Sequence, residues 1–277
     1  MIGGFLERMA EASRVRVARA RARVPEGRLL ARARATPAPP PLTLQGFDVI
    51  AELKLRSPAA GGLAKTGFDR SAQVEAYAAG GAAAISVLTE PDEFRGDLAH
   101  VGEAVAQARA RCPVLRKDFL TDAYQVIEAR AAGAGGVLLI VTMLEDADLD
   151  AMLACARELG LFVLLEAFDA DDLVRIGALA PDTSRHTVLA GLNCRDLKTL
   201  EVDFERLAAL APLLPAHLPC VAESGVEDVA DIRRLTALGY RLALVGSALM
   251  RTADPRATLA EWLAAGRAGR AQALACS

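Results

Sequence analysis

The sequence of 277 residues has few aromatic side chains and lacks the patterns that mark membrane or disulfide-bonded proteins. Aromatic residues make up 4% of the chain, and no run of eighteen or more apolar residues occurs, so no transmembrane helix is expected. The five cysteines are widely spaced without a Cys-x-x-Cys pair, which predicts reduced thiols rather than a disulfide framework or zinc site. The segment MIGGFLERMAEASR lacks the apolar stretch of a secretory signal, so we expect a cytoplasmic protein.

Positive charge is concentrated near the N-terminus. Residues 1–36 contain nine Arg and three Glu, a net charge of about +6, whereas the remaining chain carries about −9. The acidic body and the scarcity of aromatics argue against a nucleic-acid partner, so we interpret the basic segment as a solvated helix. The PAPPP tract at 37–41 ends that helix. We therefore expect an N-terminal helical extension over residues 1–41 and one domain over residues 42–277.

Short apolar runs alternate with Ala- and Leu-rich stretches of helical spacing from residue 48 onward. Eight runs are apolar nearly throughout, as expected for parallel strands that helices cover on both faces. They are DVIAELK (48–54), AAISVLT (83–89), PVLRKDF (113–119), GGVLLIVT (135–142), FVLLEAF (162–168), VLAGLN (188–193), PCVAESG (219–225) and LALVGSA (242–248). Several of the helical stretches between them end in glycine, which is common just after a helix.

This alternation predicts an α/β fold, a (β/α)₈ TIM barrel with an N-terminal helical extension. Eight strand–helix units in about 220 residues agree with the usual barrel length of about 250 residues. A doubly wound open sheet is the alternative, but no Gly-x-Gly-x-x-Gly sequence follows the first strand. In a barrel, the catalytic groups lie at the C-terminal ends of the strands.

Ionisable and amide side chains occupy those strand ends. They are Glu52, Lys54, Lys117, Asp118, Glu166, Asn193, Arg195 and Glu223. The chain has only four Lys against 28 Arg, yet Lys54 and Lys117 lie at the ends of the first and third strands. A partly buried lysine can exchange a proton, whereas arginine stays charged. Asn193 is the only asparagine in the chain, and we interpret it as a site residue or as a turn residue after the sixth strand.

Seven motifs follow one another at the predicted strand ends. They are AELKLRSP, SVLTE followed by FRG, PVLRKDF, LLEAFD, GLNCRDL, VAESGV and LVGSALMR. Together they resemble the indole-3-glycerol-phosphate synthases, barrel enzymes that close the indole ring in tryptophan biosynthesis. The resemblance runs from about residue 45 to residue 255, and the N-terminal segment resembles the helix that precedes the barrel in this family.

The resemblance implies a reaction and the residues that perform it. The substrate would be 1-(2-carboxyphenylamino)-1-deoxyribulose 5-phosphate, which loses CO₂ and water as its ring closes, without a cofactor or metal. By similarity, Lys117 is the general acid near the carbonyl oxygen, with Asp118 orienting it, and Glu166 is the general base. Lys54 matches the second active-site lysine, which pairs with the substrate carboxylate, and Glu52 matches a carboxylate that holds the lysines in place.

The same resemblance assigns the binding residues. The predicted substrate-binding residues are Asn193, Arg195, Glu223, Phe94 and Leu138, and the predicted phosphate-binding residues are Ser57, Ser224, Gly225, Gly246 and Ser247. The fold class supports part of this assignment, because barrels often bind phosphate in the loops after strands seven and eight. Glycine there lets backbone N–H groups approach the phosphate oxygens. The loop AAGGLAKTG (59–67) is predicted to close over the substrate.

Four positions depart from the usual family pattern without removing a predicted catalytic side chain. Ala59 and Asp97 replace serines, Phe168 stands where a histidine is common, and Cys194 follows Asn193 where the family usually has Asn or Ser. These changes bear on specificity and rate rather than on the class of reaction. They would also suit a paralogue that serves a secondary pathway.

Two other functions are considered. A related phosphate-binding barrel enzyme, such as phosphoribosylanthranilate isomerase or the tryptophan synthase α subunit, is one. The isomerase has a cysteine in an early strand, whereas the first strand here carries Glu52 and Lys54. A non-catalytic barrel that retains the pocket is the other. In every case we expect a small anionic sugar phosphate as partner, no nucleic acid or membrane, and a monomer or weak homodimer.

Overall fold

The chain forms a closed barrel of eight parallel strands, seen in a computed structural model that describes residues 4–57, 61–62, 68–179, 187–196, 199 and 201–275. The strands are β1 (Asp48–Leu53), β2 (Ala84–Leu88), β3 (Val114–Lys117), β4 (Gly136–Ile140), β5 (Phe162–Ala167), β6 (Val188–Asn193), β7 (Cys220–Glu223) and β8 (Leu242–Val245). Every residue of β1, β5 and β6 is buried. This agrees with the apolar runs in the sequence, because helices cover the outer face of the barrel and side chains fill its interior.

Each strand pairs with the strand before it, and the last strand closes the ring. Asp48 of β1 lies opposite Leu242 of β8, while Ile50 on the same strand lies opposite Ala84 of β2. The predicted (β/α)₈ barrel is therefore confirmed and the open doubly wound sheet is excluded. The strands are shorter than the apolar runs because the last residues of several runs leave the ladder and enter the loops at the mouth. Just after β1, Arg56–Ser57 pairs with Gly61–Gly62 in a short antiparallel ladder.

Helices follow the strands and cover the barrel. The helices are α1 (Gly4–Arg23), α2 (Glu26–Ala35), α3 (Arg70–Ala79), α4 (Ala99–Ala108), α5 (Ala123–Ala131), α6 (Asp146–Glu158), α7 (Ala170–Ala178), α8 (Glu205–Leu210), α9 (Val229–Ala237), α10 (Ser247–Arg251) and α11 (Pro255–Ala275), with 3₁₀ turns at Val141–Met143 and Ala211–Leu213. Four of them begin at an aspartate whose carboxylate accepts hydrogen bonds from the first turn: Asp69, Asp122, Asp169 and Asp228. These side chains fix where each loop ends, because they satisfy N–H groups that have no partner within the helix.

The N-terminal extension is helical, as predicted, but it is not a freely solvated basic helix. Helix α1 packs Val17 against α5, where Tyr124 belongs to the same small cluster of buried residues. Two of its arginines form ion pairs with the barrel, Arg16 with Asp118 and Arg21 with Asp122. The interpretation as a solvated helix is therefore wrong for this face, because α1 neutralises acidic side chains that follow β3. Within the described ranges, no helix is long and apolar enough to cross a membrane.

Candidate active site

A cavity of about 190 Å³ opens at the C-terminal ends of the strands. Most of the residues predicted from the sequence line it: Glu52, Lys54, Phe94, Lys117, Glu166, Asn193, Arg195, Glu223, Ser224, Gly225, Gly246 and Ser247. They come from the ends of seven strands, or the loops that follow them, and the closed barrel brings them around one space. These predicted residues bring two lysines, an arginine and three glutamates together, and apolar side chains form the rest of the wall.

Lys117 reaches the cavity from the last position of β3. Its Nζ lies 3.7 Å from Oε2 of Glu166 and 3.9 Å from Oε2 of Glu223. Burial lowers the pKa of Lys117, but the attraction of Glu166, Glu223 and Glu52 is larger in sum, so its pKa is raised above the ordinary value. Lys117 therefore carries a proton at neutral pH, as a general acid requires.

A second ion pair lies at the end of β1. Nζ of Lys54 is 2.8 Å from Oε1 of Glu52, and the two side chains are 12% and 5% exposed. Burial raises the pKa of Glu52, but Lys54 and then Lys117 lower it by more, so Glu52 is held as the carboxylate. Gly246 after β8 makes room for this pair, because a Cβ there would lie 2.5 Å from Oε1 of Glu52.

Asn193 orients Glu166. The Asn193 Nδ2 donates a hydrogen bond to Oε1 of Glu166 at 2.5 Å, and its Oδ1 accepts one from the backbone N–H of Arg195 at 3.0 Å. Oε2 of Glu166 is buried and accepts no hydrogen bond from the part of the chain that the structure describes. Asn193 is the last residue of β6 and is buried, so the interpretation of a turn residue is wrong. The Asn193 amide therefore occupies Oε1 of Glu166 and leaves Oε2 able to accept a proton.

Glu223 is a buried carboxylate with unsatisfied oxygens. It is 1% exposed, and neither oxygen accepts a hydrogen bond from any described residue. Burial, and after it the Glu166 carboxylate, raise the pKa of Glu223 well above its ordinary value, although Lys117 opposes the shift. Gly191 allows this position, because a Cβ there would overlap Oε1 of Glu223. Such a group carries a free-energy cost unless a partner or a proton satisfies it.

The charged sequence Arg116-Lys117-Asp118 divides between the two faces of the barrel wall. Lys117 faces the cavity, whereas Asp118 accepts hydrogen bonds from Arg16 and from Thr89 at 2.7 Å each. Arg116 donates to the backbone oxygen of Gln125. The expectation that Asp118 orients Lys117 directly is wrong, because successive residues of a strand point to opposite faces. The carboxylates that act on Lys117 come from other strands.

Phenylalanines form the apolar wall. Phe94 was predicted; Phe5, Phe119 and Phe168 also line the cavity, so it takes up four of the eight Phe of the chain. The Phe5 ring lies edge-on to Phe119 with centroids 5.9 Å apart, and Phe94 lies 6.1 Å from Phe119. Sequence reasoning missed Phe5 and Leu6 of α1, although the scarcity of aromatics elsewhere was a usable signal.

Two predicted residues are not placed at the cavity. Leu138 is fully buried in β4, and Ile140 two residues later lines the cavity instead. Residues two apart share a face, so Leu138 packs one layer deeper in the barrel interior. Its assignment as a substrate contact is therefore wrong. The Ser57 side chain and most of the proposed closing loop 59–67 lie outside the described residues, and only the Gly61–Gly62 backbone of that loop is described.

The predicted phosphate-binding loops after β7 and β8 line the cavity, and the loop after β7 has unusual backbone geometry. Ser224 has φ +71° and Gly225 has φ +76°. The left-handed conformation is uncommon for serine and suits glycine, which indicates that the loop after β7 is held in a constrained shape. A Cβ at Gly225 would also lie 3.1 Å from Sγ of Cys194. Among the described residues, no group of three or more His, Cys, Asp or Glu is arranged to hold a metal ion.

The chain is similar in sequence to a known enzyme family. The family model for indole-3-glycerol phosphate synthase matches residues 6–262. The indole-3-glycerol phosphate synthase of Nocardioides sp. is 47% identical over 210 residues, which cover 76% of this chain and 77% of that protein. The corresponding enzyme of Leifsonia xyli is 48% identical over 214 residues, covering 77% and 78%. That of Mycobacterium avium is 43% identical over 244 residues, covering 85% of each chain.

Solved structures support the architecture at much lower identity. The 3-hexulose-6-phosphate synthase from Salmonella typhimurium superposes with a TM-score of 0.62 at 14% identity, over 80% of this chain and all of that chain. The thiamine phosphate pyrophosphorylase from Pyrococcus furiosus gives a TM-score of 0.55 at 15% identity, over 80% of this chain and 96% of that chain. At such identity, the likeness shows the barrel fold alone.

Proposed function

The chain belongs to the indole-3-glycerol phosphate synthase family, and from that premise we propose that it closes the indole ring of 1-(2-carboxyphenylamino)-1-deoxyribulose 5-phosphate. The products are indole-3-glycerol phosphate, CO₂ and water. The observation that carries the proposal is the Lys117 ammonium, which lies between two buried glutamates and beside a wall of phenylalanines. An aromatic ring fits that wall, and the ammonium can donate a proton to a ketone oxygen.

Lys117 acts as the general acid in this proposal. As the aryl ring carbon attacks the ketone, negative charge develops on the ketone oxygen, and Lys117 donates a proton to it. Burial lowers the pKa of Lys117, but the surrounding glutamates raise it by more, so the group is charged before the substrate binds. A donor that is already protonated and held in place lowers the barrier more than one that must be recruited from water.

Lys54 holds the substrate carboxylate until it leaves as CO₂. Its ion pair with Glu52 fixes its position before the substrate arrives, and Gly246 leaves room for that pair. Glu166 then accepts the proton that is lost as the indole becomes aromatic. The hydroxyl formed from the ketone oxygen takes a second proton from the Lys54 ammonium, whose carboxylate partner has left as CO₂, and departs as water. Asn193 supports this role of Glu166, because it occupies one carboxylate oxygen and leaves the other facing Lys117.

The phosphate is assigned to the loops after β7 and β8. Ser224, Gly225, Gly246 and Ser247 line the cavity. Backbone N–H groups in such loops can approach phosphate oxygens closely where glycine leaves the space open. The substrate would therefore bind with its aromatic ring against the apolar wall and its phosphate against these loops.

The test is turnover of the purified protein with the carboxyphenylamino substrate, followed by indole fluorescence. We expect product formation in the presence of EDTA and without any nucleotide. Glu166→Gln should lower kcat by about 10²- to 10⁴-fold with the fold intact. The matched control is Glu158→Gln on the exposed surface of α6, which should keep wild-type kcat. A dependence on added metal, or a Glu166→Gln variant as active as the control, would contradict the proposal.

A non-catalytic barrel that only binds a sugar phosphate is the remaining alternative. It predicts saturable binding of the substrate without product in the same assay. The placement of Lys117 and Glu166 at 3.7 Å across the cavity favours the enzyme, because binding alone does not need a proton donor beside a base.

A further inference from the structure

Arg16 of helix α1 contacts two buried carboxylates that follow two different barrel strands. Its Nη2 donates to Oδ1 of Asp118 at 2.7 Å, and its Nη1 lies 3.8 Å from Oε1 of Glu90. The Asp118 and Glu90 side chains are 1% and 0% exposed. The guanidinium presents several donors in a fixed fork, so one side chain can join α1 to the loops after β2 and β3.

Each of these carboxylates also fixes part of the cavity wall. Glu90 accepts hydrogen bonds from three successive backbone N–H groups, the last of which belongs to Phe94. Asp118 accepts a hydrogen bond from the backbone N–H of Phe119 and directly follows Lys117 in the chain. The two carboxylates therefore hold the backbone that presents Phe94, Phe119 and the proposed proton donor.

Helix α1 itself contributes to the same wall. Phe5 and Leu6 line the cavity, and the Phe5 ring contacts Phe119. Arg16 lies eleven residues later on the same helix, about 16 Å along its axis. Because a helix is stiff over this length, an anchor at Arg16 fixes the position of the helix end that covers the cavity.

We propose that Arg16 is a positioning residue for the reaction, which joins α1, the Phe94 loop and the end of β3 so that Lys117 and the phenylalanine wall keep their geometry. This inference rests on the proposed function of the site. It assigns a role to the basic N-terminal helix that reaches beyond stability. Arg16 acts from the outer face of the barrel wall and does not touch the substrate.

Arg21 provides a matched control on the same helix. It also forms an ion pair with the barrel, through hydrogen bonds of 2.7 and 2.8 Å to Asp122, and its guanidinium lies over the ring of Tyr124. Asp122 caps α5 and does not line the cavity. Arg21→Gln therefore removes an ion pair between α1 and the barrel without touching the carboxylates that hold the wall.

The experiment compares Arg16→Gln and Arg21→Gln by kcat, KM and Tm. Arg16→Gln should lower kcat/KM by about ten- to a hundredfold, with a fall in kcat as well as a rise in KM, because the donor and the wall shift together. Arg21→Gln should stay within about twofold of wild type in both constants. Equal losses of kcat/KM in the two variants would overturn the proposal, since α1 would then act only by stabilising the fold.

A second variant keeps the test decisive if Arg16→Gln does not fold. Arg16→Lys retains a positive charge for Asp118, but its single ammonium lacks the fork that also reaches Glu90. A kcat/KM below that of wild type supports the bridging role, and where Arg16→Gln folds, the value should lie between those of wild type and Arg16→Gln. Wild-type kinetics would overturn the proposal. Wild-type turnover is measured in parallel: absence of product with the unmodified chain rejects the proposed function, whereas active but insensitive variants reject only the role of Arg16.

Discussion

Two buried carboxylates at opposite ends of the barrel are satisfied in different ways. Asp48 begins β1, and its two oxygens accept hydrogen bonds from the backbone N–H of Gln45 at 2.6 Å and from Arg267 at 3.0 Å. Glu223 ends β7, and its oxygens accept none from the described residues. Both residues are 1% exposed. Burial is therefore equal, and the difference lies in the partners that the fold provides.

This contrast suggests that the N-terminal ends of the strands serve stability and that their C-terminal ends serve function. At the N-terminal end, a buried charge is fully paired, and it ties the first strand to α11. At the mouth, carboxylate oxygens without hydrogen bonds from the described residues, a left-handed serine and glycines required by close contacts occur together. Such features cost folding free energy, and they persist where the rest of the structure is stable enough to impose them. A molecule bound at the cavity mouth could supply hydrogen bonds to the carboxylate oxygens that receive none from the described residues.

Removing the proton donor gives the largest effect that we expect. Lys117→Ala should lower kcat by about a thousandfold in a protein that still folds, because the ammonium donates the proton and the glutamates left without it can take up protons. Arg267→Ala at the opposite end is the control: it should lower Tm and leave kcat within about twofold. A Lys117→Ala variant with a tenth or more of wild-type kcat would contradict the proposal that the charged groups at the cavity mouth perform the reaction.

The second largest effect is expected from adding a methyl group at the cavity mouth. Gly246→Ala would place a methyl group 2.5 Å from Oε1 of Glu52 and 3.2 Å from Nζ of Lys54. We expect kcat to fall together with a rise in KM, by about thirty- to a hundredfold in kcat/KM, because this ion pair must shift. Gly27→Ala in helix α2, where the added Cβ would meet nothing within 4 Å apart from its own stretch of helix backbone, should be neutral. A rise in KM alone would mean that Gly246 serves the phosphate and not the ion pair.

Removing the Asp48 carboxylate at the N-terminal end of β1 should lower the stability of the fold and leave kcat unchanged. Asp48→Ala removes two hydrogen bonds and leaves Arg267 and the Gln45 N–H without their acceptor. A loss of about 2 kcal/mol is expected, which corresponds to a fall in Tm on the order of 4–8 °C. Thermal unfolding measures it, with kcat unchanged below the transition. Loss of kcat in the folded variant would show that the two ends are coupled.

The smallest effect concerns the unsatisfied carboxylate. The pKa of Glu223 is raised in the fold, so its contribution to stability is present at low pH and is lost as the pH rises through that pKa. Glu223→Gln lacks this loss, and we expect its Tm to exceed that of wild type by a margin that grows between pH 5 and pH 8. Glu158→Gln on the surface should show no such trend. A Tm below wild type at pH 8 would mean that the charged form of Glu223 stabilises the fold.

Much of the site could be predicted because a barrel fixes where strand ends meet. Positions at the strand ends predict four of the site residues: Lys54, Lys117, Glu166 and Asn193. Lys54 and Asn193 also stand out because lysine and asparagine are rare in the chain. The partners of these side chains could not be predicted. The amide of Asn193 bonds Glu166, 27 residues earlier, and no local pattern records that contact.

The errors arose where a side chain's direction or a long-range contact decided the outcome. Asp118 follows Lys117 but points to the other face, and Leu138 lies one layer below the cavity. The charge of the N-terminal segment alone predicts a solvated helix, whereas Asp118 and Asp122 of the barrel pair with two of its arginines. Phe5 and Phe119 come together from positions 114 residues apart in the sequence, at 5.9 Å between ring centroids.

The alternation of buried strands and covering helices, the family, and the set of chemical groups at the strand ends all follow from the sequence. Apolar runs, capping residues and motifs are local, so their physical meaning does not depend on distant parts of the chain. The tertiary structure sets which carboxylates face Lys117, which carboxylate oxygens receive no hydrogen bond from the described residues, and that Arg16 reaches two strand ends at once. Those outcomes depend on how the ring of strands closes and on how helix α1 docks against it, because burial and long-range charge act through space and not along the chain.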